Sequence, residues 1–223
     1  IPLTSEKSYF KQYKNCQLLP IKTHLLGPLD DISEVVKTYA SKIVRPGDVL
    51  TIGETPLAVI QGRYVHPSTI SPAFLARLLC RAFHPTSSLA TACGLQTLIN
   101  SVGPSRVLIS FVIGAGVKLI GIKGLFYRLA GEQARLIDDI TGTTPPYDQS
   151  IVLGPKSPKK ICERLSLDLG INVAIVDVND LGRVKVLAAS RNCKMNFLRK
   201  ALITNPAGNG NEQTPLVIVR PYQ

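Results

Sequence analysis

Twenty residues, VLISFVIGAGVKLIGIKGLF from Val107 to Phe126, decide what kind of molecule this chain can be. About 20 predominantly apolar residues suffice for one membrane-spanning helix. Lys118 and Lys123 interrupt this run, however, and four glycines break it up. It therefore reads as a buried helix ending near Lys118, or as a helix, a turn and a strand. Interfacial attachment, with the lysines snorkelling towards lipid phosphates, is the remaining alternative. The rest of the chain can supply a core to bury such a helix. With 223 residues, 45% hydrophobic and 18% charged, it does not have a disordered composition and is long enough for one large domain or two small lobes.

Around that stretch, strand-like and helix-like segments interleave irregularly, which predicts a mixed α/β to α+β fold with mixed sheets. Residues 1–20 read as an irregular N-terminal arm and residues 21–223 as a single domain, or two intertwined lobes. ISEVVKTYASKI has helical periodicity, with Asp31 or Ser33 as its cap. VLTIGETPLAVIQGRYV reads as two strand-like pieces joined at Glu54–Pro56, and GLFYRLAGEQARLIDD as a strand leaving on a loop. SPKKICERLSLDLG is an amphipathic helix, capped by Ser157 and closed by Gly170. NVAIVDV, SIVLGP, VKVLAAS and TPLVIVR read as strands. His66–Pro67 and His84–Pro85, each followed by Ser and Thr, read as structural turns with hydroxyl caps. The competing reading is acid–base or phosphate contact.

A formal charge of +11 favours an anionic partner, and residues 151–200 alone carry ten Lys or Arg against four Asp or Glu. No run of five basic residues occurs and few aromatics accompany the bases, which argues against nucleic acid. The five cysteines are far apart, odd in number and lack a C-x-x-C pair. They read as free thiols in a reducing compartment, either cytoplasm or organelle stroma or matrix, with peripheral membrane association as an option.

Familiar catalytic signatures are missing. GAGVKLIG places Leu119 where a dinucleotide fingerprint needs its third glycine, and there is no Walker A run or nucleophile elbow. What remains is a set of loops at strand ends, where α/β proteins commonly put ligands. DVNDLGR, Asp177 to Arg183, is the most suggestive of them. Clustered acids there and at Asp139 could hold a divalent ion, and Arg63, Arg128, Arg183 and Arg220 could hold phosphates.

The order of these loops resembles the coenzyme F-420-0:L-glutamate (gamma-glutamyl) ligase family over nearly the whole chain after about Leu19. LPIKTHLLGPLDDISEVV, RPGDVLTIGETPLAVIQGR, IKGLFYRLAG, VLGPKSPKKICERL, AIVDVNDLGR and NEQTPLVIVR carry the resemblance, in that order. It implies a two-lobed homodimer that uses GTP, or ATP in a divergent member, with Mg or Mn. Such an enzyme activates a small-molecule carboxylate as an acyl phosphate and joins it to glutamate. Nucleotide and phosphate would fall to Arg63, Arg128, Arg183 and Asn209, and metal to Asp139, Asp177, Asn179, Asp180 and Gln133. No catalytic residue follows from it.

The chain departs from that family at the metal carboxylates. Gln133, Asn179 and Asn209 stand where the family has acids. An amide oxygen can bind a cation but contributes no negative charge, so the changes should weaken Mg²⁺ or Mn²⁺ binding. Neighbouring acids such as Glu132, Asp138 and Asp180 could rebuild the site. Two expectations follow. One is a divergent nucleotide-dependent ligase. The other is a catalytically inactive relative serving as a binding or assembly subunit within a larger complex, with a membrane surface as an optional location.

Overall fold

The computed structural model describes residues 11–13, 16–119, 121–122, 124–139, 145–179, 182–208 and 210–222. The chain is a mixed α/β protein that divides into two compact units, residues 1–62 with 155–223 and residues 63–154.

The first unit is built on a six-stranded sheet. Its strands are β1 (Lys11–Tyr13), β2 (Cys16–Ile21), β3 (Val49–Gly53), β7 (Asn172–Val178), β8 (Val184–Ala189) and β9 (Leu216–Pro221). Their order is β1-β2-β9-β3-β7-β8. Only β3 and β7 run parallel, from Val49 opposite Asn172 to Gly53 opposite Val176; the other neighbours are antiparallel. The central strands are rich in β-branched residues and buried on both faces, which suits a strand covered from both sides. Alternate residues feed two cores. Leu50, Ile52, Val173, Ile175, Leu216 and Ile218 face α1 (Ile32–Tyr39), α2 (Glu54–Ile60) and α8 (Pro158–Leu169). Val49, Ala174, Val176, Val217 and Val219 face α9 (Met195–Ala201).

Local chemistry explains several of these elements. Asp31 caps α1 by accepting from the amides of Ser33 and Glu34, at 2.7 and 3.3 Å. Gly170, at φ +67°, closes α8 in the left-handed region that glycine tolerates.

The second unit holds the short helices α3 (Phe74–Leu79), α4 (Ala92–Val102), α6 (Leu125–Ala130) and α7 (Gln133–Leu136), and the longer α5 (Pro104–Leu119). Three two-residue strands, β4 (Tyr64–Val65), β5 (Asp138–Asp139) and β6 (Ile151–Val152), pair in the order β4-β6-β5. Leu95, Leu98, Val107, Phe126, Ala130 and Ile151 lie in one core. No single helix among the described residues is long and apolar enough to cross a membrane. α4 and residues 104–118 of α5 pass that test together but are bent by 114°.

The structure corrects several expectations. Residues 16–20 are not part of an irregular arm; they form most of β2, paired with β9 along its whole length. Residues 54–60 are a helix rather than a strand. Their apolar run Leu57–Ile60 is buried without a break, and periodicity alone cannot tell a buried helix from a buried strand. Residues 125–130 and 133–136 are two short helices; Phe126 and Ala130, four residues apart, bury one face of the first, and Ala134 is buried in the second. Ser157 sits at the N-cap of α8, but at φ +50° and without a capping hydrogen bond. α9 carries no strong cap and is not anticipated from sequence.

His66 and His84 are turn residues, as expected, but by a different device. In each case the imidazole Nδ1 accepts from the amide two residues on, at 3.3 Å, and pairs with that residue's hydroxyl.

Candidate functional site

In the first unit the carboxyl ends of β3 and β7 meet the loops that the sequence points to. β3 runs straight into α2 at Gly53, whose amide donates to Pro215 O at 2.9 Å. A Cβ at Gly53 would come within 3.0 Å of the Pro56 ring. Thr23 N donates to Gln213 O at 2.9 Å, and the Thr214 hydroxyl donates to Ala207 O, so the 205–215 loop is tied down at this end of the sheet. Within that loop the Glu212 carboxylate turns back to accept from Gly210 N at 2.7 Å. Glu212 lies so close to Gly208 that a Cβ there would fall 2.5 Å from its Cδ.

The turn between β7 and β8 is closed by Asn179. Its amide N–H donates to Arg183 O, and its side-chain oxygen accepts from Arg183 N, both at 3.1 Å. Gly182, at φ +71°, permits the reversal. The Arg183 guanidinium is exposed. Asp177 lies opposite Lys185 in the β7–β8 register. Although its side chain keeps exposed surface, the protein packed around its carboxyl pushes it above the usual carboxylate range, and Lys185 pulls it back only in part. Asp180 and Asn209 lie outside the described residues.

In the second unit Gln133 and Arg63 come together on Gly154. Gln133 Oε1 accepts from Gly154 N at 3.1 Å and from Arg63 Nη2 at 3.1 Å, while its Nε2 faces Gly154 O at 3.5 Å. Arg63 Nε donates to the same carbonyl at 2.5 Å. Burial lowers the Arg63 guanidinium from its ordinary value, the mark of a desolvated cation. Gly154 is itself tightly held, since a Cβ there would fall 2.4 Å from Leu136 Cδ1. Arg128 is exposed on α6. The backbone of Asp139 is in β5, but its side chain lies outside the described residues.

Of the expected metal set, Gln133 and Asp139 belong to the second unit and Asp177 and Asn179 to the first. Among the described residues no group of three or more His, Cys, Asp or Glu gathers as a metal site. Two of the expected donors are amides rather than acids. Gln133 and Asn179 bring no negative charge, and their oxygens already accept from backbone amides.

Two groupings in the first unit were not anticipated. His24 Nδ1 lies 2.8 Å from Tyr39 Oη, and its Nε2 lies 2.8 Å from Asp30 Oδ1. Asp30 Oδ2 accepts from Gly27 N at 2.7 Å; that backbone bond first, then His24, holds its carboxyl below the usual range. Tyr39 ends α1, so the cluster fastens the 24–30 loop to the helix; an exposed His and a distant Tyr give no sequence signal for it.

The second grouping is a cavity of about 470 Å³ bordered by Lys42, Arg45, Arg220 and Gln17. Arg220 is fixed there by buried Asp48, to which it donates from Nε at 2.9 Å and Nη2 at 2.8 Å. Asp48 raises the Arg220 guanidinium above its ordinary value. The sequence offers Arg220 as a phosphate contact; in the structure its guanidinium binds Asp48.

No protein-family model matches the chain, and no curated protein matches it.

Proposed function

We propose that this chain has the fold of the gamma-glutamyl ligase family and serves as a binding or assembly subunit without metal-dependent nucleotide chemistry. The use of Gln133 supports this reading. Its amide meets both the N–H and the C=O of Gly154, a pairing that needs a donor and an acceptor on one side chain. A carboxylate at neutral pH has only acceptors. The amide at a position where the resemblance calls for a metal acid therefore has a structural task of its own, and Asn179 has another in its turn. The partners that suit such a subunit are a second copy of the chain or a larger protein complex.

Isothermal calorimetry with Mg·GTP and Mg·ATP tests the proposal. The expected result is no magnesium-dependent heat. A saturable, magnesium-dependent isotherm near one nucleotide per chain, abolished by Asp177→Ala, would overturn it.

A second reading, the active divergent ligase, draws on Arg128 and Arg183. Both are exposed, and neither guanidinium forms a hydrogen bond to a described residue, so both are open to phosphate or carboxylate. The same titration decides between the two readings.

A further inference from the structure

From Thr55 to Gly131 the chain contains no Asp or Glu, but it carries Arg63, Arg77, Arg81, Arg106, Lys118, Lys123 and Arg128. Within this acid-free stretch lies α5, and its rotation about its own axis is fixed by close packing. Val107 and Ser110 are buried, and Gly114 is pressed so closely on Phe126 that a Cβ would fall 3.0 Å from that residue's backbone N. At 100° per residue, the opposite face presents Leu108, Ile109, Val112 and Ile113. These four side chains are 43%, 59%, 62% and 43% exposed. Ala115 and Gly116 complete that face and are also exposed. From Leu108 to Gly116 it has no side chain able to form a hydrogen bond. One edge is cationic: Arg106 flanks the stripe, with its Nε on Leu129 O at 2.9 Å. Arg128 is exposed on α6, the helix that packs along α5.

We propose that this face of α5 seats on an anionic lipid surface, with its aliphatic stripe among the acyl chains and Arg106 and Arg128 at the phosphates. Three features select that occupant. The stripe is aliphatic and bare of hydrogen-bonding groups, whereas a protein interface of standard size carries about ten hydrogen bonds. Its charged edge is of one sign, so two copies meeting across a two-fold axis would bring cations together with no acid from residues 55–131 to answer them. A helix of 16 residues is about 24 Å long and can lie in the interfacial plane with a face this wide. The inference does not depend on the proposed loss of nucleotide chemistry.

Vesicle flotation of the whole chain tests it, using neutral phosphatidylcholine vesicles and vesicles containing about one-third phosphatidylglycerol. The chain should float with the anionic vesicles, less so as salt is raised, and far less with the neutral ones. Ile109→Glu with Val112→Glu should weaken binding at least about tenfold by removing two apolar contacts and adding two repelled charges. Arg128→Gln should weaken it about fivefold. All three positions are exposed, so circular dichroism and the urea midpoint should match the parent. The idea is overturned if the parent does not float, if it floats equally with both vesicle types, or if the double substitution leaves flotation unchanged. It is equally overturned if the double substitution instead dissociates a dimer that never binds vesicles, because the face would then be a contact between copies.

Discussion

Replacing Gln133 with Ala separates a structural amide from a metal ligand. The substitution removes the acceptor used by Gly154 N and by Arg63 Nη2, each at 3.1 Å. A lost hydrogen bond costs about 1 kcal/mol net, and about 1–3 kcal/mol where the group left behind is desolvated. Arg63 still reaches Gly154 O at 2.5 Å, so its loss is partial. Among the described residues Gly154 N has no other acceptor, and Gly154 is packed against Leu136. The expected destabilisation is about 2–3 kcal/mol. Because the chain has no tryptophan, urea unfolding is best followed by circular dichroism and tyrosine fluorescence. The midpoint should fall while the slope stays constant. Repeating the titration with 10 mM MgCl₂ completes the test. A ligand present at about 100 times its dissociation constant stabilises the folded state by about 2.7 kcal/mol, so a true metal site would raise the parent's midpoint and lose that rise in Gln133→Ala. The expected difference is none. A cost below about 0.5 kcal/mol, or a magnesium-dependent rise confined to the parent, would refute the structural account of this residue.

Other expectations follow from the same contacts. Arg220→Leu strands the buried Asp48 carboxylate and should cost about 3 kcal/mol, the low end for a broken buried pair because Arg45 N still donates to it at 2.8 Å. In Asp48→Leu/Arg220→Leu the loss should be much smaller, as read by a double-mutant cycle in urea. Gly154→Ala places a methyl group 2.5 Å from Leu136 Cβ, close to the main chain, and should cost about 1–3 kcal/mol in the same assay. Burial pushes the Cys162 thiol from about 9 to about 12. Between those values the unfolded chain releases a proton that the folded chain keeps, so stability falls as pH rises from 9 to 12, by up to about 1.4 kcal/mol per pH unit. Denaturation at pH 8 and pH 10.5 should show a steeper loss for the parent than for Cys162→Ala.

The strands were legible where the sheet demands a particular composition. NVAIVDV and TPLVIVR are β-branched runs, and such runs suit a strand buried on both faces. α1 and α8 were legible because their caps are chemical signals, Asp31 at one and Gly170 at the other. The reading failed where burial is complete and the element short. Leu57–Ile60 is apolar at every position, so no period distinguishes helix from strand. The sheet decides it: β3 ends at Gly53 against Pro215, and α2 packs back on β3 and β7.

The candidate site was legible as a set of positions but not as a set of roles. Sequence marks Gln133 and Asn179 as amides where acids are expected. Whether an amide is a weakened metal ligand or a residue with a different task depends on what its two ends touch, and those partners are distant in sequence. Gln133 finds Gly154 and Arg63, 21 and 70 residues away. Asn179 finds Arg183 only because the turn closes. A carboxylate could replace Asn179 as an acceptor for Arg183 N, so that amide does not by itself argue for lost chemistry. Gln133 argues more strongly, because restoring an acid there would set a second carboxylate oxygen against Gly154 O, 3.5 Å from where Nε2 now lies. Reverting Gln133 to an acid would therefore rebuild a cation's charge only by breaking the clamp that fixes Arg63 and Gly154, and these two residues would have to be repacked before the position could serve a metal.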